Sequence, residues 1–253
     1  MIDVAPTISQ ISGIRVPAQA TGEPIPEICR CFPNALKVAV IAPDALGEFT
    51  FRRWEAEMPY LSQLHSQRHL VLESVMPSIT PVNFATIVTG NDPSVHRIST
   101  LHDTFRCETL FDGVREAGGT SAGIGLTGYT GSLLLGRHAD INGDAGDGTD
   151  DAVADWVLNI AREKSPRFII AQLGRVDDVL HQFGPSSEKI IPMLRETDAR
   201  IQRIVTALKK LDYAILILSD HGQHDVTPEE NHGKCGTHGH DLPEDRLVPC
   251  TWI

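Results

Sequence analysis

Short apolar runs alternate with longer amphipathic stretches along this chain, and turn residues separate them. "LKVAVIAPD" (36–44) is continuous and β-branched, the pattern of a strand buried on both faces. "LVLESVMP" (70–77), "TSAGIGLTG" (120–128), "PRFIIAQLG" (166–174) and "DYAILILSD" (212–220) read as further strands, and "LVPCTWI" (247–253) adds a last one. Helical spacing runs through 51–67, where Pro59 interrupts it, and through 107–119, where a glycine pair stops it. Residues 81–90 predict a short helix ended by Gly90. Residues 147–164 predict an amphipathic helix with acids in its first turn and Arg162 and Lys164 in its last, as the helix dipole favours. A long helix over 186–211 is expected to bend at Pro192. This alternation predicts an α/β fold, a mainly parallel sheet flanked by helices.

Two segments stand outside the alternation. Residues 1–34 are rich in Pro, Gly and small polar residues and show no sustained period, so they read as an N-terminal arm before a domain at 35–253. Residues 126–150 are rich in Gly and Asp and form a candidate functional loop or small insertion.

Composition narrows the partners. The 253 residues suffice for a sizeable core, and 41% hydrophobic with 22% charged residues is ordinary for a soluble protein. A net charge of -11 argues against a nucleic-acid duplex as partner, but not against a small phosphorylated substrate, because bound metals can invert the local field. The first residues have neither a basic n-region nor a continuous apolar h-region, so no signal peptide is expected, and no stretch has the apolar length of a membrane span. The five cysteines have no disulfide-framework spacing, and Cys29-x-Cys31 lacks the gap of zinc or redox pairs. Free thiols in a reducing cytoplasm are the expectation.

In open parallel sheets, ligands sit beyond the carboxyl ends of the strands. Asp44, Asp177, and Asp220 with His221 stand after such ends, and the second strand leads to Thr80. His181 comes four residues after Asp177, so the two share one helical face, with Asp178 competing for the same role. The tail "GTHGHD" adds His238 and His240, with His224 and His232 nearby. Carboxylate plus imidazole is the ligand chemistry of zinc and manganese rather than calcium. Pro81 suits the first helical position, which makes Thr80 an N-cap; a hydroxyl there, beside a divalent metal, becomes a nucleophile. Asn83 falls on the same turn, where its amide can donate to a phosphoryl oxygen.

The stretches "APDALG" (42–47), "PSITPVNFATIVTGNDPSVH" (77–96), "VDDVLHQFGP" (176–185), "SDHGQ" (219–223) and "GTHGHD" (236–241) together resemble the alkaline phosphatase superfamily, in particular its type I phosphodiesterase/nucleotide pyrophosphatase branch. The resemblance implies an alkaline-phosphatase-like catalytic domain over 35–253, with a minimal cap, since the chain is short for the family. It implies a metal-dependent hydrolase of phosphoric esters using two divalent ions, usually zinc. Asp44, Thr80, Asp220 and His221 would hold one ion, and Asp177, His181 and His238 the other, with His240 an alternative to His238. Thr80 would attack phosphorus and become phosphorylated, and Asn83 would cradle the non-bridging oxygens. The Cys/Ser-x-Pro-x-Arg pattern of sulfatases is absent around Thr80. Phosphomonoester or phosphonate hydrolysis on the same site, and a non-catalytic metal-binding module, are the alternatives. A monoesterase needs an added cation, for which Arg97, Arg137 and Lys234 are candidates. Phe84, Tyr129 and Arg137 are candidates for contacts beyond the metals.

Overall fold

The structure, a computed structural model, describes residues 1–33, 35–229 and 231–253. Its strands are β1 (Lys37–Pro43), β2 (Leu70–Glu73), β3 (Ser121–Gly125), β4 (Ile141–Asp144), β5 (Phe168–Leu173), β6 (Tyr213–Leu218), β7 (His224–Asp225), β8 (Gly236–Thr237) and β9 (Leu247–Trp252). Its helices are α1 (Val4–Ser12), α2 (Pro26–Cys29), α3 (Glu48–Arg53), α4 (Pro59–Gln67), α5 (Thr80–Thr89), α6 (Pro93–His96), α7 (Leu110–Glu116), α8 (Asp150–Glu163), α9 (Arg175–Phe183), α10 (Ile191–Lys209) and α11 (Pro243–Arg246).

Seven strands form one sheet in the order β2-β9-β6-β1-β5-β3-β4. β6, β1, β5, β3 and β4 are parallel, whereas β9 runs antiparallel to β6 and β2 antiparallel to β9. The sheet is therefore the mainly parallel one expected, with one reversed strand, β9, set between β6 and the edge strand β2. β2 regains the direction of β6, so its exit leads to the same edge as the exits of β1, β5 and β6. β7 and β8 pair separately.

Strand alternation sorts the core into two layers. Ala39, Ile41, Ile169, Ala171, Ile215 and Ile217 face one layer with Val153, Val157, Ile201 and Ile204 of α8 and α10. Val38, Val40, Ile170 and Leu216 face the other with Ile8 of α1, Phe84 and Ile87 of α5, and Phe111 of α7. Burial on both faces is why the central strands read as unbroken apolar runs.

The structure departs from the sequence reading at several points. Within the segment read as an N-terminal arm, α1 packs Val4, Ala5, Ile8 and Ile11 into the core, at a helical spacing obscured by Pro6, Thr7 and Ser9. The 51–67 segment splits into α3 and α4, because Pro59 suits the start of a helix and not its interior. Pro192 likewise begins α10 instead of bending it. The 126–150 segment carries a π-helical turn (Gly131–Gly136) and the edge strand β4. Its glycines serve close packing: a Cβ on Gly131 would lie 2.3 Å from the Ile124 carbonyl oxygen.

Candidate active site

The three central strands β6, β1 and β5 end side by side, and the polar residues just beyond their ends converge. Asp44 lies directly after β1 and is 2% exposed; Asp220 and His221 lie just past β6 and are fully buried. Asp177 and His181 sit one turn apart on α9, which begins just after β5. His238 comes directly after β8, and Thr80 opens α5.

The deep part of the site is built around a charge problem. Asp44 Oδ2 accepts from Gln172 Nε2 at 2.5 Å, and Asp220 Oδ1 accepts from the Ala45 N–H at 3.2 Å. The other oxygens, Asp44 Oδ1 and Asp220 Oδ2, are buried without a hydrogen-bond partner. Burial holds the Asp44 carboxyl well above the carboxylate range, and the nearby Asp220 and Asp177 raise it further. Burial also raises Asp220, against the pull of His221. Two buried carboxyl groups with orphaned oxygens are expensive unless something positive joins them.

The histidines face the same way. His221 Nδ1 donates to the Gly222 carbonyl at 3.0 Å, His181 Nδ1 to Gly236 at 2.9 Å, and His238 Nδ1 to Ser78 at 3.1 Å. A carbonyl only accepts, so in each neutral ring the proton sits on Nδ1 and the lone pair on Nε2. Those lone pairs point at carboxylates: His221 Nε2 is 3.3 Å from Asp220 Oδ2 and 3.7 Å from Asp44 Oδ1. His181 Nε2 is 3.4 Å from Asp177 Oδ2, and His238 Nε2 is 3.6 Å from Asp177 Oδ1. Burial, then the neighbouring His221 and His181, push the His238 imidazole down to about 2, so it stays neutral. Lone pair against carboxylate is repulsive, and a cation between them removes the repulsion. Imidazoles whose second nitrogen is fixed by a carbonyl are how metal-ligating histidines are oriented. Asp177, His181 and His238 form one group able to hold an ion, and Asp44, Asp177 and His221 form another. The residues present therefore fit divalent metal, with Asp177 shared between the groups.

Thr80 is the first residue of α5 instead of its cap; Ile79 holds the extended cap position and Pro81 the second helical one. Its hydroxyl is thus spared for other use and donates to His221 Nε2 at 3.0 Å.

Asn83 does not face this cluster. It is fully buried, its Oδ1 accepts from the Val75 N–H at 2.8 Å, and its Nδ2 reaches the carbonyls of Val75, Pro77 and Ile79. Its amide is hydrogen-bonded to the backbone of the loop before Thr80. Phe84 is core. Asp178 is taken by Tyr129 and Arg175, at 2.6 and 2.8 Å, which leaves Asp177 as the residue aimed inward. Arg137 is tied to the Asp103 carbonyl, and His240 turns to Asp245 and away from the centre. Lys234 is exposed, with a field that reaches His238.

Two functional side chains escaped the sequence reading. Gln172 orients Asp44, and Gln223 orients Asp177, with Nε2 2.7 Å from Oδ1. Both are almost wholly buried, and a glutamine inside the apolar run "FIIAQL" was the available signal.

Fold and family match together place the chain in the alkaline phosphatase superfamily. A model of the family "type I phosphodiesterase / nucleotide pyrophosphatase" matches residues 38–111 and 122–238, and the chain belongs to that family. An uncharacterised pyrophosphatase/phosphodiesterase of Schizosaccharomyces pombe is 33% identical over 76 residues, covering 28% of this chain and 16% of that protein. The mouse ectonucleotide pyrophosphatase/phosphodiesterase 5 superposes with a TM-score of 0.67 at 14% identity, over 85% of this chain and 87% of that one. An inactive threonine-to-alanine form of the mouse protein in complex with AMP has the same TM-score at 13% identity, with the same coverage. The Sinorhizobium meliloti phosphonoacetate hydrolase in complex with phosphonoacetate has a TM-score of 0.57 at 19% identity, over 74% of this chain and 56% of that one. Among the described residues no helix is long and apolar enough to cross a membrane, and all five cysteines are free.

Proposed function

We propose that the protein is a metal-dependent phosphodiesterase acting on small phosphorylated substrates of the nucleotide-like diester or pyrophosphate class, with Thr80 as nucleophile. The observation that carries this is the convergence of three carboxylates on three imidazole Nε2 atoms, one of which, on His221, also meets the Thr80 hydroxyl. Asp44, Asp220 and His221, with Thr80, would hold one divalent ion, and Asp177, His181 and His238 the other; zinc suits this donor set and manganese is second. Such a pair supplies positive charge at the attacking and leaving oxygens of an in-line displacement.

The chain's own residues do the rest. Gln172 and Gln223 hold Asp44 and Asp177 in place, and in the metal-free protein the Thr80 hydroxyl takes the His221 Nε2 lone pair that an ion would occupy. The Thr80 oxygen forms the new bond to phosphorus as the alcohol or phosphate leaves, and water then cleaves the phosphorylated threonine. A diester is favoured because, among the described residues, only histidines ion-pair with the site carboxylates; of the candidate cations for a monoester, Arg137 is tied to the Asp103 carbonyl and Lys234 is exposed with a field that reaches His238. Phosphonate hydrolysis is the second reading, favoured by the fold shared with the phosphonoacetate hydrolase. The free thiols favour the cytoplasm.

The test compares bis(p-nitrophenyl) phosphate, p-nitrophenyl phosphate and phosphonoacetate as substrates for zinc- and manganese-loaded protein. Preference for the diester is expected. Thr80→Ala should lower its turnover by about 1,000-fold or more while bound metal is kept. Turnover that survives this substitution removes Thr80 from the reaction, and bound metal without any turnover makes the chain a binding module.

A further inference from the structure

A second constellation of the same chemistry stands apart from the site. Asp245, in α11, is fully buried. Among the described residues its carboxylate has no guanidinium or ammonium partner; its ion-pair partners are two imidazoles. His224 Nδ1 lies 2.7 Å from Oδ1, and His240 Nδ1 lies 3.8 Å from Oδ2, which also accepts the His240 N–H at 2.9 Å. The rings meet edge to face with centroids 5.2 Å apart. One ligand atom from each of the three residues lies within 4.8 Å of the other two. Here the imidazoles turn Nδ1 inward, the reverse of His181, His221 and His238. Neither Nε2 meets a partner among the described residues, so the ring proton can sit on that outer nitrogen and free Nδ1 as a donor.

An Asp–His hydrogen bond alone explains His224. It does not explain why a second imidazole from another segment converges on the other oxygen of a fully buried carboxylate. The three residues come from β7, from the loop after β8 and from α11. Between β6 and β9 the described chain has only two two-residue strands and one four-residue helix, so a cross-link there restrains a segment with little regular structure of its own. The restraint would reach the active site. Ser78, two residues before Thr80, donates to the His240 carbonyl at 3.1 Å and accepts from His238 Nδ1 through its own carbonyl.

We infer that His224, His240 and Asp245 form a third divalent-metal site, distinct from the two-metal centre, which pins the tail loops and through Ser78 the nucleophile loop. Two imidazoles and a carboxylate, with a water completing the tetrahedron, is a zinc donor set. On binding, the His224–Asp245 hydrogen bond is exchanged for two bonds to the ion, and the His224 proton moves to Nε2.

Zinc is counted by elemental mass spectrometry after loading and desalting, so the readout is independent of turnover. The unaltered protein should retain about three zinc ions per chain and His240→Ala about two. His240 is 62% exposed at its side chain, so its removal leaves folding intact. The double variant Asp44→Asn/Asp177→Asn should keep about one, and adding His240→Ala should remove it. Equal counts in unaltered and His240→Ala protein overturn the site, as does a count of zero in the double variant. One zinc in the unaltered chain that survives Asp44→Asn/Asp177→Asn and disappears with His240→Ala would uphold this site and overturn the two-metal reading.

Discussion

At the scale of single residues, the site is bought with stability. Asp44 and Asp220 are both buried, close enough for the charge of Asp220 to raise the Asp44 pKa, and each has one oxygen left without a hydrogen-bond partner. In the metal-free protein the folded state holds the Asp44 proton more tightly than the unfolded chain does. The native state therefore binds more protons, and stability falls as pH rises through the raised folded value. Asparagine cannot titrate. Its amide can keep the Gln172 contact through oxygen and turn N–H toward the orphaned oxygen of Asp220. Asp44→Asn should accordingly raise metal-free stability near pH 7 by on the order of 0.5–2 kcal/mol and flatten its pH dependence, while weakening metal binding. Urea midpoints in EDTA from acid to neutral pH check this, and a variant less stable than its parent at neutral pH would refute it.

At the scale of elements, the loop between β2 and α5 decides where the nucleophile stands. Ser74 ties its start to the Asp220 carbonyl at 2.6 Å, Asn83 binds three of its carbonyls, and His238 and His240 grip Ser78. If Asn83 acts through this loop, Asn83→Ala should cost about 1–3 kcal/mol and lower kcat by ~10- to 100-fold with KM little changed. If it instead touched the phosphoryl group, activity would fall while the melting temperature stayed, so the two measurements together decide. The sequence displayed the polar residues that gather beyond the strand ends well, because a polar residue at the end of an apolar strand has few structural reasons to be there. It did not display what Asn83 does, since helical spacing gives a residue's face and says nothing of which backbone groups a folded loop leaves unpaired. Gly222 shows the same limit. A Cβ there would lie 2.1 Å from the Glu244 carbonyl oxygen, a contact between segments far apart in the chain.

At the scale of the whole molecule, the strands and long helices were legible because their periods are sustained, and α1 was not, because polar and proline residues break its short apolar stripe. The family match begins at residue 38, so α1 lies outside it, yet it contacts both α5 and β1. Those are the elements that deliver Thr80 and Asp44. An arm resting on the surface would tolerate change, whereas a helix filling the layer beneath α5 would not. Ile8 is fully buried among residues of that layer, so Ile8→Ala should lower stability by about 2–5 kcal/mol through lost burial and the cavity left behind. A loss below about 0.5 kcal/mol, the range of ordinary surface substitutions, would return these residues to the status of an arm. Because, among the described residues, no hydrogen bond or ion pair joins α1 to the candidate ligands, zinc content under native conditions should be unchanged by Ile8→Ala. Chemical denaturation of the metal-loaded variant beside its parent therefore separates the helix's part in holding the fold from any part in holding the ions.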